Sequence, residues 1–268
     1  MNGKLPLSAL LLVRDETRDV ESLLPALAFA AEVIVVWDPR GDRATRDAAE
    51  RLGARVFERA FDGFGTQRRF ALAQCTQPHV LWIDADERPR EGAAQAIARA
   101  LASGGPAQAS VLRETRFLGR RIRFCGWQRE RIVRLFARDA FGFDDAPVHE
   151  RLVPLRDDLP AAVALDVTLD HDSYATWDAC VTKMTRYAAA GAEKAHAAGK
   201  RATLVDVVVR PPLRFLRQYV LQLGFLDGAH GWLLCALAST QVFLKYAALR
   251  EKSRLGSGAA ERPEGRGR

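Results

Sequence analysis

Apolar residues fall into short unbroken runs in the first third of the chain and into helical spacing in the last third. Residues 7 to 13 (LSALLLV), 33 to 36 (VIVV) and 80 to 83 (VLWI) are rich in branched side chains, and each run stops abruptly at polar residues. A strand covered on both faces needs no polar alternation, so these runs predict buried strands. Between them, residues 19 to 31 (DVESLLPALAFAA), 42 to 52 (DRATRDAAERL) and 65 to 75 (GTQRRFALAQC) have helical character. Strands alternating with helices predict right-handed crossovers and a mainly parallel sheet, with ligands beyond the carboxyl ends of its strands.

Residues 110 to 170 alternate more like antiparallel strands, with RIVRLF at 131 to 136 as the clearest case. From residue 176 to about 200 the pattern is helical and alanine-rich. A second helical region is predicted from Pro212 to Arg250, broken or bent around Gly224, Gly228 and Gly231. The stretch after Leu255, GSGAAERPEGRGR, has the composition of a disordered tail. No internal repeat is present.

Composition narrows the picture. The 268 residues, 48% hydrophobic and 27% charged, suffice for a sizeable core. A net charge of +7 and a pI near 9.6 favour anionic partners. Most of the excess lies between Lys200 and Arg254, where nine basic residues stand against Asp206, Asp227 and Glu251. Cys75, Cys125, Cys180 and Cys235 are widely spaced, which suits free thiols in a reducing compartment better than a disulfide framework. The N-terminal MNGKLPLSALLLVRDE reads as a first strand, since charge follows at Arg14 without a small-residue cleavage pattern.

The chemistry concentrates in VLWIDADERPR, residues 80 to 90, where Asp84, Asp86 and Glu87 follow a buried strand directly. Two carboxylates one residue apart can turn toward one small volume once the chain leaves extended geometry. Such oxygen-rich sites hold magnesium or manganese and share it with a substrate phosphate. The plainer alternative is a solvated loop whose aspartate caps a helix.

Several motifs in order sharpen this. VLWIDADERPREGAAQAI resembles the strand-DxD-helix element of family-2 glycosyltransferases with the GT-A fold, and FDGFGTQRRFALAQC resembles the GFGxQ(K/R)xxAL segment of the lipopolysaccharide core β-1,4-glucosyltransferase-like branch. GWQRERIVRLF at 126 to 136, PVHERL at 147 to 152, DHDSY at 170 to 174 and LGFLDGAHGWLLCALASTQVFLKYA at 223 to 247 extend the match over roughly residues 7 to 250.

The resemblance implies a Rossmann-like GT-A sheet with flanking helices and an inverting transfer of a hexose, glucose in this branch, from a UDP-sugar to a lipid-linked saccharide such as the lipopolysaccharide inner core. It implies Mg2+ or Mn2+ at Asp86, contact of Asp84 with the ribose or the metal, and a nucleotide contact at Glu16. The family pattern has Asn-Glu where this chain has Asp15 and Glu16. PVHER supplies Glu150 as the candidate base and His149 as a metal or phosphate contact. The second strand departs further, reading VVWDPRGDRAT where the family has a sequence like VVDSGSTD. Aligned by strand, Trp37 takes the place of the base-reading aspartate; aligned by the following helix, Asp38 does, and Asp38 is the assignment adopted.

Arginines suit the anionic donor, because the planar guanidinium fork matches phosphate oxygens. Arg68 and Arg69 follow GFGTQ, and Arg131 and Arg134 flank an apolar pair. Each also fits a solvated helix or strand face. Trp127 could stack on a sugar or fill the core.

Near the C-terminus, Arg210, Arg214 and Arg217 share a helix face beside an apolar stripe of Leu213, Leu216, Val220 and Leu223. The uncharged stretch from Gly228 to Leu244 is slightly short for a membrane span. An interfacial helix pair on an anionic membrane surface fits better, and a helix packed on the catalytic domain is the competing account. The expected organisation is a GT-A domain over residues 1 to 175, a membrane-associating helical region over 176 to 254 and a disordered tail over 255 to 268. The expected location is the inner face of the cytoplasmic membrane, with no nucleic acid as partner. Competing classes are a nucleotidyltransferase, which would carry a glycine-rich loop where this chain reads RDETRD, a non-catalytic membrane or nucleic-acid-binding module, which would leave the acidic cluster unexplained, and a catalytically degenerate membrane-associated nucleotide-sugar-binding protein.

Overall fold

A computed structural model describes residues 3–127, 130–144 and 151–258. Compact packing divides the chain into two units, Met1–Glu114 with Arg129–His171, and Thr115–Gln128 with Asp172–Arg268.

The first unit begins with strand β1 (Leu5–Val13), helix α1 (Thr17–Ala26), β2 (Ala30–Trp37), α2 (Arg43–Arg51), β3 (Arg55–Glu58), α3 (Phe64–Gln74) and β4 (His79–Trp82). It continues with β5 (Glu87–Pro89), α4 (Ala93–Ala102), β6 (Gln108–Phe117), and later β8 (Glu130–Ala137), β9 (Phe141–Phe143), β10 (Leu152–Pro154) and β11 (Val163–Tyr174). The intervening β7 (Arg120–Arg121) belongs to the second unit. The sheet order is β3-β2-β1-β4-β8-β6-β11-β5, with β7 paired to the end of β6. β3, β2, β1 and β4 are parallel, while β8 runs antiparallel to β4 and β6. The expected parallel start and antiparallel middle thus meet in one α/β sheet.

The unbroken apolar runs are explained by cover on both faces of the sheet. Leu7, Ala9, Leu11 and Val13 of β1 pack with Val20, Leu23 and Leu24 of α1 and with Ala96 and Ile97 of α4. Leu10 turns the other way, into a cluster with Ile34, Val80, Ala71 and Phe136. One difference from the sequence reading concerns Ala30 and Ala31, which lie in β2 although alanine favours helix. Pairing of Ala30 with Leu5 starts the strand there and overrides local propensity.

The second unit holds helix α5 (Trp177–Ala197), α6 (Leu204–Leu216), a π-helical turn (Arg217–Leu221), a 3-10 turn (Gly224–Asp227) and α7 (Gly228–Gly258). α6 starts well before the expected Pro212, fixed by a capping box between Thr203 and Asp206, and it carries Pro211 and Pro212 in its interior. The break falls at Gly224 and Gly228 as expected, whereas Gly231 lies inside α7. A side chain at Gly231 would come within 2.0 Å of the Gly224 carbonyl oxygen, so this glycine permits close approach rather than a bend. Trp127 stacks on Tyr174 with ring centroids 5.6 Å apart, in an apolar cluster with Phe117 and Leu234. α7 continues past the uncharged stretch, and Gly224–Arg254 is long and apolar enough to cross a membrane by length and composition, with mean hydropathy 1.4. The expected tail lies mostly in residues 259–268, outside the described residues.

Ser8 interrupts the apolar run of β1 for a structural reason. Its hydroxyl donates to Glu32 Oε1 at 2.6 Å, an oxygen that also accepts from Thr76 N, while Arg55 Nη1 donates to Glu32 Oε2. Burial raises the Glu32 pKa, but these hydrogen bonds outweigh it and bring the group from 4.5 to about 2. A carboxyl depressed in the folded state stabilises above its unfolded pKa and loses that contribution as pH falls through the folded one. Glu32→Ala is therefore expected to cost about 1–3 kcal/mol near neutral pH. Urea melts of the variant and the parent should converge as pH falls from 4.5 toward about 2, and a gap independent of pH would refute this assignment.

Candidate functional site

The carboxyl ends of β1, β2 and β4 meet at one edge of the sheet. β4 lies beside β1 with Leu10 opposite Trp82, and Ile83 N donates to Leu10 O, which carries the chain straight to Asp84. A tight turn follows, because Glu87 N donates to Asp84 O while Asp84 N donates to Glu87 Oε2. β5 then pairs antiparallel with β11, placing His171 opposite Glu87.

Both oxygens of Asp84 are engaged by arginines. Arg68 Nη2 donates to Oδ1 at 3.0 Å and Arg134 Nη2 to Oδ2 at 2.6 Å. Arg134 also donates to Glu87, which is fully buried, and Arg113 lies 3.7 Å from the same carboxylate. Trp82 closes the cluster from one side, with the Arg68 guanidinium carbon 4.0 Å and that of Arg134 4.7 Å from its ring. The Trp82 indole donates to Val133 O at 2.8 Å, which fixes the ring. Burial pushes the Asp84 pKa up, but the charges of Arg134 and Arg68 outweigh it and hold the carboxyl well below its usual range.

A β-bulge aims Arg134 into this cluster. In the β6–β8 ladder Ala109 pairs with Leu135 and Ser110 with Val133, so Arg134 is the extra residue without a partner. Arg131 goes elsewhere and donates to Leu165 O at 3.2 Å. Arg69 donates to Phe143 O at 3.1 Å.

Asp86 faces β11. Its Oδ2 lies 3.4 Å from His171 Nε2, and both side chains are partly exposed. Among the described residues no group of three potential metal ligands forms. The donor chemistry still separates the two aspartates: Asp84 already accepts from two cations, whereas Asp86 and the His171 imidazole offer an oxygen and a nitrogen at one place. This pair fits a divalent cation that completes its shell with water and substrate phosphate. His149 and Glu150 lie outside the described residues.

The nucleotide-side candidates form a second group. β2 runs through Trp37, whose indole donates to Arg14 O at 3.2 Å and whose side chain is buried. Asp38 is the first residue beyond the strand and is itself buried. It is held by Arg40, with Nε 2.9 Å from Oδ1 and Nη2 2.6 Å from Oδ2. Those hydrogen bonds, against the opposing effect of burial, lower its pKa to about 2. Glu16 folds back, its Oε2 accepting from the backbone of Arg14 and Asp15. Asp15 Oδ1 accepts from Asp42 N at 2.7 Å, and a side chain at Gly41 would come within 2.4 Å of Arg14 O. Asp42 caps α2 through Ala44 N.

The sequence reading thus anticipated Arg68, Asp84 and Arg134, which the structure brings together, and Asp86, which lies beside them in sequence. It placed Arg131 with them, and the structure does not. It passed over His171, Trp82, Arg113 and Arg40. The DHDSY motif was a signal for His171; the bulge that re-aims Arg134 left no mark in the hydrophobic pattern.

Residues 18–149 match the family model described as Glycosyl transferase family 2. The lipopolysaccharide core biosynthesis glycosyltransferase LpsC of Rhizobium meliloti (strain 1021) is 25% identical over 260 residues, spanning 92% of this chain and 95% of its own. An uncharacterized glycosyltransferase of Rickettsia bellii (strain RML369-C) is 22% identical over 263 residues, with 92% and 87% covered. Among solved structures, glucosyl-3-phosphoglycerate synthase of Mycobacterium tuberculosis, in complex with Mn2+, UDP and glucosyl-3-phosphoglycerate, aligns with a TM-score of 0.38 and 20% identity over 50% of this chain and 57% of that one. With the family match at the sheet edge that carries the acidic turn, and a lipopolysaccharide core enzyme similar over nearly the whole length, the chain belongs to glycosyl transferase family 2.

Proposed function

We propose that this glycosyltransferase moves a hexose, glucose by its sequence resemblance, from a UDP-sugar to a lipid-linked saccharide of the lipopolysaccharide inner core, with inversion at the sugar carbon. The observation that carries the reading is the acidic turn after β4, where Asp86 meets His171 beside the Arg68–Asp84–Arg134 cluster. The full-length similarity to LpsC supports the acceptor class.

Asp86 and His171 would hold Mg2+ or Mn2+, which when bound offsets the charge that develops on the departing diphosphate. Asp84, clamped between two guanidiniums, orients the ribose end of the donor, and Arg68 and Arg134 present positive charge toward the phosphates. Asp38, with Arg40 behind it, accepts from the base, and Glu16 fixes the loop beside the nucleotide. Glu150 takes the proton of the acceptor hydroxyl as that oxygen bonds to the sugar C1 and the bond from C1 to the diphosphate breaks. His149 is assigned a phosphate or metal contact on resemblance alone.

Residues 1 to 175 carry the transfer in this reading, and residues 176 to 254 face the membrane. Support for the latter is the stripe of Leu213, Leu216, Val220 and Leu223, whose relative exposures run from 57% to 43%. An in-plane helix at an anionic leaflet would cover it and would bring the enzyme to a lipid-borne acceptor.

The two aspartates separate in a double experiment. Asp86→Asn is expected to keep the parent's melting temperature while losing manganese-dependent binding of the donor, read by calorimetry against UDP-glucose, UDP-galactose, GDP-mannose and ADP-heptose. Asp84→Asn removes a counter-charge from two buried guanidiniums, and because Asp84 is half-exposed and Arg134 keeps Glu87, a stability loss of about 1–3 kcal/mol accompanies weaker binding. Unaltered metal-dependent binding in Asp86→Asn would remove Asp86 from the metal site.

Base recognition has its own test. Asp38→Asn is expected to narrow the affinity gap between UDP-glucose and GDP-mannose by about tenfold, the worth of one charged hydrogen bond. An unchanged ratio would assign base selection to another group.

A further inference from the structure

At the end of the second unit farthest along the chain, a groove of about 430 Å3 lies between the start of α6 and the last turns of α7. Its walls are Leu204 and Val207 on α6, and Ala247, Arg250, Glu251 and Arg254 on α7. Arg250 and Arg254 are four residues apart on one helix and so stand one above the other.

The neighbouring cations already have protein partners. Arg201 Nη1 donates to Ser253 O at 3.2 Å, Arg210 pairs with Asp206 at 2.7 Å, and Lys252 pairs with Glu193 at 2.5 Å. Among the described residues Arg250 and Arg254 form no ion pair, and the acidic residue of the groove, Glu251, neutralises at most one of them. The α6 wall has the opposite character. Val207 is buried against α7, while Leu204, Val205 and Val208 are 57%, 66% and 61% exposed.

A phosphate group matches two stacked guanidiniums, which offer planar forks of donors. A soluble phosphate compound, however, gains nothing from three exposed aliphatic side chains alongside. Both demands are met by one molecule with a phosphate at one end and hydrocarbon at the other. We propose that this groove binds the phosphate headgroup of an anionic phospholipid, with the acyl chains running along the Leu204, Val205 and Val208 edge of α6. The proposal rests on the reading of the C-terminal region as membrane-facing, and it adds a discrete headgroup site to what would otherwise be diffuse attraction.

The full chain would be sedimented with vesicles of phosphatidylcholine alone and of phosphatidylcholine with phosphatidylglycerol. Two variants accompany the parent: Arg250→Gln with Arg254→Gln, which removes the cations, and Leu204→Asp, which sets a carboxylate in the groove at an exposed first-turn position that tolerates acidic residues. The parent is expected to prefer the phosphatidylglycerol vesicles. The double variant should lose about thirtyfold of that preference, the worth of two basic side chains at an anionic surface, and Leu204→Asp should lose it too while adhesion to phosphatidylcholine persists. Excess inorganic phosphate should not release the bound parent. Undiminished preference in either variant, or release by inorganic phosphate, overturns the headgroup site and leaves the membrane reading standing. A parent that binds neither vesicle overturns both.

Discussion

Everything at the sheet edge depends on how buried guanidinium groups are balanced by carboxylates. Arg68 and Arg134 lie beneath the surface, and Arg134 is tolerated there only because the half-buried Asp84 and the fully buried Glu87 receive it. Burial and pairing act against each other on both partners: burial disfavours the charged form of each, and the opposite charge restores it. The turn from β4 into β5 is set by the same groups, since Glu87 both pairs with Arg134 and accepts from Asp84 N. A clamp of this kind fixes one aspartate rigidly and leaves its neighbour two residues on, Asp86, turned toward His171.

The division of labour between adjacent carboxylates follows from that clamp. A DxD sequence read alone suggests two equivalent ligands. Here the first is saturated by cations and the second lies by an imidazole, so the pair is chemically unequal before any donor arrives. Trp82 contributes by lying against both guanidiniums, a polarizable wall that attracts them without competing for their hydrogen bonds.

Much of the fold was legible because the physics that sets it is local and periodic. The runs at 7 to 13 and 33 to 36 fall within β1 and β2, the run at 80 to 83 overlaps β4 and ends one residue beyond it, and RIVRLF falls within β8. What escaped depends on pairing between distant segments. Ala30 enters a strand because Leu5 lies beside it, Arg134 points inward because a ladder slips by one residue, and His171 reaches Asp86 because β11 pairs with β5. Arg131 shows the limit from the other side: it shares the motif of Arg134 and differs only in its place relative to the bulge. α6 is similar, since prolines at 211 and 212 argue against a helix interior, yet a firm cap at Thr203 starts the helix well upstream of them.

The loops after β1 and β2 are joined by three contacts: Trp37 to the Arg14 carbonyl, Asp42 N to Asp15, and Gly41 against the same carbonyl. Asp15 and the WDPRGD segment are both departures from the pattern common in the family, and the hydrogen bond between Asp15 and Asp42 makes them a matched set rather than separate lapses. For anyone grafting segments into this edge of the sheet, the two loops form a single cassette. A replacement for one, taken without its partner, would bring a side chain into the Arg14 carbonyl or strand the Asp42 amide.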